Sequence, residues 1–402
     1  MDNSLAPKLR VQDLLESIAN SSGVVIYGYG IAGRWLAAIA KKRGNFLGFI
    51  DSDIKKVRNA PQGEVIFHVS EAHHCFRPDI SIVISVADIQ DVYASIKSMH
   101  KGPVFAMGLF LSDARDYADT VQRESTDYLV YALDTVRACH EAFHSQEKIF
   151  LRSIDVIVTE KCTLRCKDCS NLMQYYQAPK DVDQAEIKES LTRLLERVSI
   201  IHEVRVIGGE PMMNKAFSEI IQMLIEFEQI ENIVVFSNAM IPPKAEHMGI
   251  YRNPKVVFSL TDYGALSRNT QRFTDVLNAH GVVYRINPPE NWTDSGVIAN
   301  FDRTDQENRE VFEKCCGKNL ITLSDEKVYR CPFAANADRL KAIPRDERNY
   351  VKVDASADDI RTFLTGITHT PACNFCKGRS FDAEHIEPAI QAKNPIYFAV
   401  MQ

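Results

Sequence analysis

The chain has 402 residues, of which 45% are apolar and 25% charged, with a formal net charge of −6 at pH 7. That length is enough for two or three domains, each with a core of its own, and an acidic balance without a long basic run argues against a nucleic-acid partner. No apolar run reaches the roughly 18 residues that span a bilayer, and residues 1–7 have neither the basic start nor the apolar core of a secretion signal. A cytoplasmic protein with no membrane partner is expected, and in that reducing compartment clustered cysteines are metal ligands rather than disulfides.

In chain order, Leu9, Leu14, Leu15 and Ile18 mark a short helix over 8–20. A strand then leads into Gly28-Tyr29-Gly30-Ile31-Ala32-Gly33, a helix follows through Trp35, Leu36, Ile39 and Ala40, and a second strand, 46–50, ends at Asp51. This is the spacing of a dinucleotide fingerprint. Gly28, Gly30 and Gly33 allow a tight turn and close approach to a diphosphate, and an acid about twenty residues on can take a ribose hydroxyl. The segment resembles the small Rossmann-like modules of sugar-modifying and glycan-assembly proteins, which end their second strand in Asp-x-Asp as Asp51-Ser52-Asp53 does here. That resemblance implies a bound nucleotide or nucleotide sugar, with NAD and a purely structural role as the alternatives. The runs 80–85 and 104–107 extend the sheet. Residues 113–149 are helical by the recurrence of Leu129, Leu133, Val136, His140 and Phe143, with His140 on a helix face rather than a ligand. The isolated Cys75 and Cys139 are packing residues.

From residue 151 strands and helices alternate. Strand 154–158 runs into Cys162-Thr163-Leu164-Arg165-Cys166-Lys167-Asp168-Cys169, a Cys-x3-Cys-x2-Cys triplet. Thiolates select iron–sulfur clusters or zinc, and three on one loop hold three irons of a 4Fe–4S cube while the fourth iron stays open. Strand 203–207 ends in Gly208-Gly209-Glu210-Pro211, strand 232–236 in Ser237-Asn238, and strand 255–260 in Thr261-Asp262; a last strand covers 282–286. Helices are expected at 184–198, 215–228 and 268–280. Near-continuous apolar strands separated by helices imply a covered parallel sheet.

The triplet and the Gly-Gly-Glu-Pro stretch together resemble the radical S-adenosylmethionine (radical SAM) family. The resemblance implies an α/β fold with a six-stranded partial (β/α) barrel whose functional groups sit at the C-terminal strand ends. It implies a 4Fe–4S cluster on Cys162, Cys166 and Cys169 and SAM on its open iron. Gly208, Gly209 and Glu210 would lie at the SAM amino group, and Ser237 and Asn238 near its ribose or carboxylate, unless these last two only cap the next helix. It also implies an electron donor such as flavodoxin or ferredoxin, and a deoxyadenosyl radical that removes hydrogen from a substrate carbon. Asp168 departs from the pattern, because the family usually has an aromatic residue before the third cysteine, near the adenine.

A second group follows: Cys315-Cys316, an apparent hairpin over 320–330, Cys331-Pro332, and Cys373-Asn374-Phe375-Cys376. Four cysteines suit either zinc or an iron–sulfur cluster. The layout resembles the Twitch auxiliary-cluster domain of radical SAM enzymes, which implies a second 4Fe–4S cluster on Cys316, Cys331, Cys373 and Cys376. Cys315 is then the free thiol and a candidate hydrogen donor to a substrate radical, unless it replaces Cys316. Trp292, in the loop 287–296, either stacks on a sugar or base or simply packs. His369, Glu384, His385 and Glu387 are read as surface. The expected domains are a Rossmann-like module (1–115), a helical linker (116–150), the barrel (151–300) and a small auxiliary domain (301–402). The expected function is dehydrogenation or epimerisation of a sugar or nucleotide-linked sugar. Peptide modification is the alternative substrate reading, and a non-catalytic iron–sulfur or zinc redox sensor the alternative class.

Overall fold

Gly23–Tyr27 and Ile80–Ile84 are buried at every position, as strands are when both faces of a parallel sheet are covered. In the computed structural model, which describes residues 10–111, 126–145, 149–289, 292–380, 383–393 and 396–398, they lie side by side at the centre of a five-stranded sheet. Its order is 66–68, 46–51, 23–27, 80–84, 104–106, with every neighbouring pair parallel. The helix Val11–Ile18 buries Val11, Leu14, Leu15 and Ile18, the i, i+3, i+4, i+7 stripe of an amphipathic helix. The helix Ile31–Ala40 packs Trp35 and Leu36 into the same core.

The chain divides into units 1–148 and 149–402. The helix Thr126–His144 belongs to the first, and buries Leu129, Leu133 and Val136 in its core. Leu129, Leu133 and Val136 of the expected linker are thus part of that core, because this apolar stripe has a sheet-backed face to bury against. His140 is fully buried. Its Nδ1 accepts from the Gly108 backbone N–H at 2.9 Å, and its Nε2 lies 2.9 Å from the Val86 carbonyl. Burial pulls its pKa down to about 4. It is a neutral strut, as its place on a helix face suggested. Residues 116–125 and 146–148 of the expected linker lie outside the described residues.

In the second unit the main sheet runs in the order 284–287, 256–261, 230–237, 200–208, 154–159, 322–324, 327–329, 350–352, with 150–151 beside 200–208. The strands from 284–287 through 322–324 pair in parallel. Period-two alternation separates two faces. Val156, Val158, Val204, Val206, Ile233, Val235, Phe258 and Leu260 pack with the helices Gln184–Leu195, Phe217–Glu226 and Thr270–Ala279. The intervening positions, among them Asp155, Glu203, Arg205, Phe236, Ser259, Arg285 and Asn287, occupy the opposite face. That face is charged: Arg205 Nε lies 3.3 Å from Asp155 and 3.8 Å from Glu203, and Arg285 and Asn287 both donate to Ser259 Oγ.

The expected auxiliary domain does not stand apart. The hairpin Thr322–Ser324 and Lys327–Tyr329 adds to the main sheet, with Thr322 opposite Asp155 and Leu323 opposite Val156. Leu323 and Val328 join the core of the main sheet. An unpaired edge beside strand 154–159 would expose its backbone donors, and the hairpin covers it. Among the described residues no helix is long and apolar enough to cross a membrane.

Candidate metal centre and active site

Strand 154–159 delivers the chain to the first cysteine triplet, and strand 200–208 ends directly beside it. Gly208 has φ +144°, and a Cβ there would fall 2.1 Å from the Thr159 carbonyl oxygen; at Gly209 it would fall 2.1 Å from the Lys161 oxygen and 2.9 Å from Cys162 Cβ. Only glycine lets the two segments run this close. The Gly209 and Glu210 N–H groups then donate to Thr159 and Lys161 carbonyls at 2.9 and 2.8 Å. The Glu210 carboxylate is fully buried. It accepts from the backbone N–H of Asn238 at 2.8 Å and of Met212 at 3.3 Å, and burial raises its pKa to about 7 against the lowering effect of Asn238 and Ser237. Asn238 Nδ2 donates to Thr163 Oγ1 at 2.9 Å and reaches Cys162 Sγ at 3.8 Å. Ser237 Oγ also accepts from the Ala239 N–H. Cys162, Gly208, Gly209, Glu210, Ser237 and Asn238 therefore converge. Asp262 does not join them: its side chain accepts from the Gly264 N–H and shapes the next turn.

Burial raises the pKa of all three thiols of the triplet, that of Cys166 to about 11. They lie within electrostatic reach of one another. Three anions this close and this desolvated are unfavourable alone, and thiolate-bound iron relieves both costs. The donor set fits a three-cysteine cluster.

Of three further features here, two gave no signal in the sequence. Gln391, some 225 residues from the triplet, donates from Nε2 to Cys166 Sγ at 3.4 Å and accepts the Arg165 N–H at 2.8 Å. Backbone bonds from Lys167 to Ile390 and from Ala392 to Arg165 hold the tail against the loop. Tyr263 is within the field of all three thiols, and Trp292 packs edge-on to it at 6.1 Å between ring centroids. Gly296 lies against Asp168, where a Cβ would come within 2.7 Å of backbone carbon. Tyr263 directly follows the strand end at Thr261-Asp262, which was the one available clue.

The second thiol set is gathered from three element ends. Cys315 closes the helix Asp305–Lys314, Cys331 caps the helix Pro332–Arg339, and Cys373 and Cys376 flank a short turn. Cys315, Cys373 and Cys376 all lie within electrostatic reach of Cys331, and burial drives the Cys376 thiol up to about 12. N–H groups of Gly317, Ala334 and Gly378 point at Cys315, Cys331 and Cys376 at 3.3, 3.4 and 3.3 Å. Arg303 fixes the Cys-x2-Cys turn by donating to the Cys373 and Cys376 carbonyls, both at 2.7 Å. The geometry thus collects Cys315 where the sequence reading placed Cys316. Cys315 is extended and Cys316 opens the next turn, and the groups acting on the Cys316 thiol are Arg379 and Cys315. Four thiols with inward N–H donors fit a metal or cluster. Glu384, His385 and Glu387 are exposed, and half-buried His369 faces Asp305 at 3.7 Å.

In the first unit, Gly30 is the N-cap of helix Ile31–Ala40 and has open space where a Cβ would stand. Gly28 has φ +108°, and Gly33 lies against the Gly28 carbonyl, 2.0 Å from where its Cβ would be. Asp51 is 5% exposed and already engaged: it accepts from the N–H groups of Tyr29 and Asp53 at 2.8 and 2.9 Å and pairs with Lys56 at 3.1 Å. The carboxylate expected to meet a ribose here ties the glycine turn to the second strand.

Residues 156–272 match the model of the Radical SAM superfamily. A GTP 3′,8-cyclase of Clostridium acetobutylicum is 34% identical over 98 residues, 23% of this chain and 30% of that protein. One from Limosilactobacillus fermentum is 25% identical over 93 residues, 23% and 27% of the two chains. The chain thus spans under a third of the curated relatives it matches. Among solved structures, BtrN in complex with AdoMet and 2-DOIA is similar over 55% of this chain and 85% of its own, at 14% identity and a TM-score of 0.37. Streptococcus suis SuiB bound to S-adenosylmethionine is similar over 42% and 41%, at 15% identity and 0.30. Likeness at that level carries no argument about substrate.

Proposed function

We propose that this chain, whose residues 156–272 belong to the Radical SAM superfamily, is an enzyme that reductively cleaves SAM and takes a hydrogen atom from a carbon of a sugar or nucleotide-linked sugar, dehydrogenating or epimerising it. The observation that carries the reading is the convergence of Cys162, Cys166 and Cys169 with the Gly208-Gly209-Glu210 strand end and Asn238. When bound, a 4Fe–4S cluster and SAM supply the reducing electron and the deoxyadenosyl radical, with flavodoxin or ferredoxin as the electron source. The chain's own residues do the rest. Glu210, held on the Asn238 N–H, offers a carboxylate to the SAM amino group. Gly208 and Gly209 let backbone approach the ligand. Tyr263 and Trp292 supply the aromatic surface that Asp168 does not. The polar face formed by Asp155, Glu203, Arg205, Ser259, Arg285 and Asn287 favours a substrate rich in hydroxyls, which can meet buried polar groups with hydrogen bonds of its own.

A second 4Fe–4S cluster is assigned to Cys315, Cys331, Cys373 and Cys376. Cys316 then takes the free-thiol role expected of Cys315. The test is anaerobic reconstitution followed by reduction with dithionite in the presence of SAM. About eight irons per chain and release of 5′-deoxyadenosine are expected. Iron without SAM cleavage would leave a redox-sensing protein, and about four irons with one zinc would remove the second cluster.

A further inference from the structure

The residue that the reading above leaves without a task is Arg379. It lies three positions beyond Cys376 and is clamped to the second thiol set by its backbone: its carbonyl accepts the Cys316 N–H at 2.8 Å, and its neighbour Ser380 bridges to Cys315. Its side chain runs past Gly317, where an added Cβ would stand 3.4 Å from Arg379 Cδ and 4.0 Å from Nη1. Arg379 Nε is buried and has no hydrogen-bond partner among the described residues. The guanidinium is within electrostatic reach of Cys316 and Cys376, and also of Cys169 and Asp155. It is therefore a fixed positive charge within reach of both cysteine sets.

We propose that Arg379 is a positioning residue that raises the reduction potential of the cluster held by Cys315, Cys331, Cys373 and Cys376, by placing a guanidinium whose Nε–H has no partner among the described residues within reach of the Cys376 thiolate. The inference rests on the assignment of that cluster. An arginine carries a fixed charge, and the potential of a thiolate-bound cluster follows its net charge, the hydrogen bonds to its sulfurs and its exposure. A cation next to the cluster favours the state with one more electron. An N–H not already committed to protein, as Nε is, is free to donate toward a sulfur when iron is bound. The couple is the one-electron change of a 4Fe–4S centre from 2+ to 1+, with no bond made or broken.

The test uses full-length protein carrying Cys162→Ala, Cys166→Ala and Cys169→Ala, so that a single cluster remains and no SAM chemistry intervenes. Its midpoint potential is read by electron paramagnetic resonance during titration with dithionite. Arg379→Gln is expected to keep about four irons per chain and to lower the ratio of reduced to oxidised cluster at least tenfold at a fixed potential, a shift of about 59 mV for one electron. Arg379→Lys, which keeps the charge, should restore most of the difference. Equal midpoints in Arg379→Gln and the parent, at equal iron, overturn the proposal. Loss of iron in Arg379→Gln but not in Arg379→Lys also overturns it, because the arginine would then hold the cluster rather than tune it. A parent triple variant without iron instead refutes the second cluster, and the inference falls with it.

Discussion

At the scale of single residues, one glycine and two adjacent cysteines make the sharpest predictions. Gly209 has no space for a methyl group, since its Cβ would fall on the Lys161 carbonyl. Gly209→Ala must therefore push the cysteine loop away from the strand end. The expected outcome is loss of about half the iron and of all 5′-deoxyadenosine formation, measured on anaerobically reconstituted protein. The motif was legible in the sequence because glycine next to a glutamate at a strand end has a chemical meaning. The choice between Cys315 and Cys316 was not legible, because adjacent residues differ only in the direction of their side chains. With Cys315 gathered to Cys331, Cys373 and Cys376, Cys315→Ala should lose roughly four irons, whereas Cys316→Ala should lose none. If the reaction is an epimerisation with Cys316 as hydrogen donor, turnover in deuterated buffer places one deuterium at the inverted carbon, and Cys316→Ala stops product formation while 5′-deoxyadenosine is still released. A product two hydrogens lighter, made equally well by Cys316→Ala, identifies a dehydrogenation.

Elements carry the next group of predictions. The helix Thr126–His144 is tied to the first sheet through His140, whose folded pKa is lowered to about 4 from the usual 6.5. An unfolded chain binds this proton at higher pH than the folded one. The contribution is thus fully present above about pH 6.5 and declines as the pH falls, levelling off below about pH 4, a loss of up to about 3 kcal/mol. Thermal unfolding of the chain at pH 7.5 and pH 5 should show that decline, and His140→Gln should flatten it while lowering stability at pH 7.5. The glycine turn of the same unit needs a different design. Gly33→Val would drive a side chain into the Gly28 carbonyl, and overpacking of this kind costs about 1–3 kcal/mol or more. Gly30 is open, so Gly30→Val should leave the melting temperature nearly unchanged. It is the clean test of whether a nucleotide or nucleotide sugar uses this turn, read as binding heat against the parent chain. The occupied Asp51 favours a turn that is held for its own structural sake.

For the molecule as a whole, the two units differ in what they can lose. Residues 149–402 cluster as one unit, so this segment expressed alone should keep the full iron content and SAM cleavage. The reverse cut is different. Ending the chain before the second cysteine group would strip strand 322–324 from strand 154–159 and Gln391 from Cys166. Such a truncation should lose the first cluster along with the second, as iron analysis and circular dichroism would show.

What the sequence determined by itself was everything local. The period-two apolar runs marked the parallel strands, the cysteine spacings marked two thiol sets, and the strand ends pointed to Glu210, Ser237 and Asn238. Hydrophobic periodicity and ligand spacing are written in neighbouring residues, so a reading of neighbours recovers them. Only the tertiary structure decided which of two adjacent thiols meets three others, that the expected auxiliary hairpin continues the main parallel sheet, and that Gln391, Tyr263 and Arg379 reach the cysteines. Each of these depends on the direction of a side chain or on contact between residues far apart in the chain. Spacing along the chain does not encode either quantity; packing and backbone pairing do.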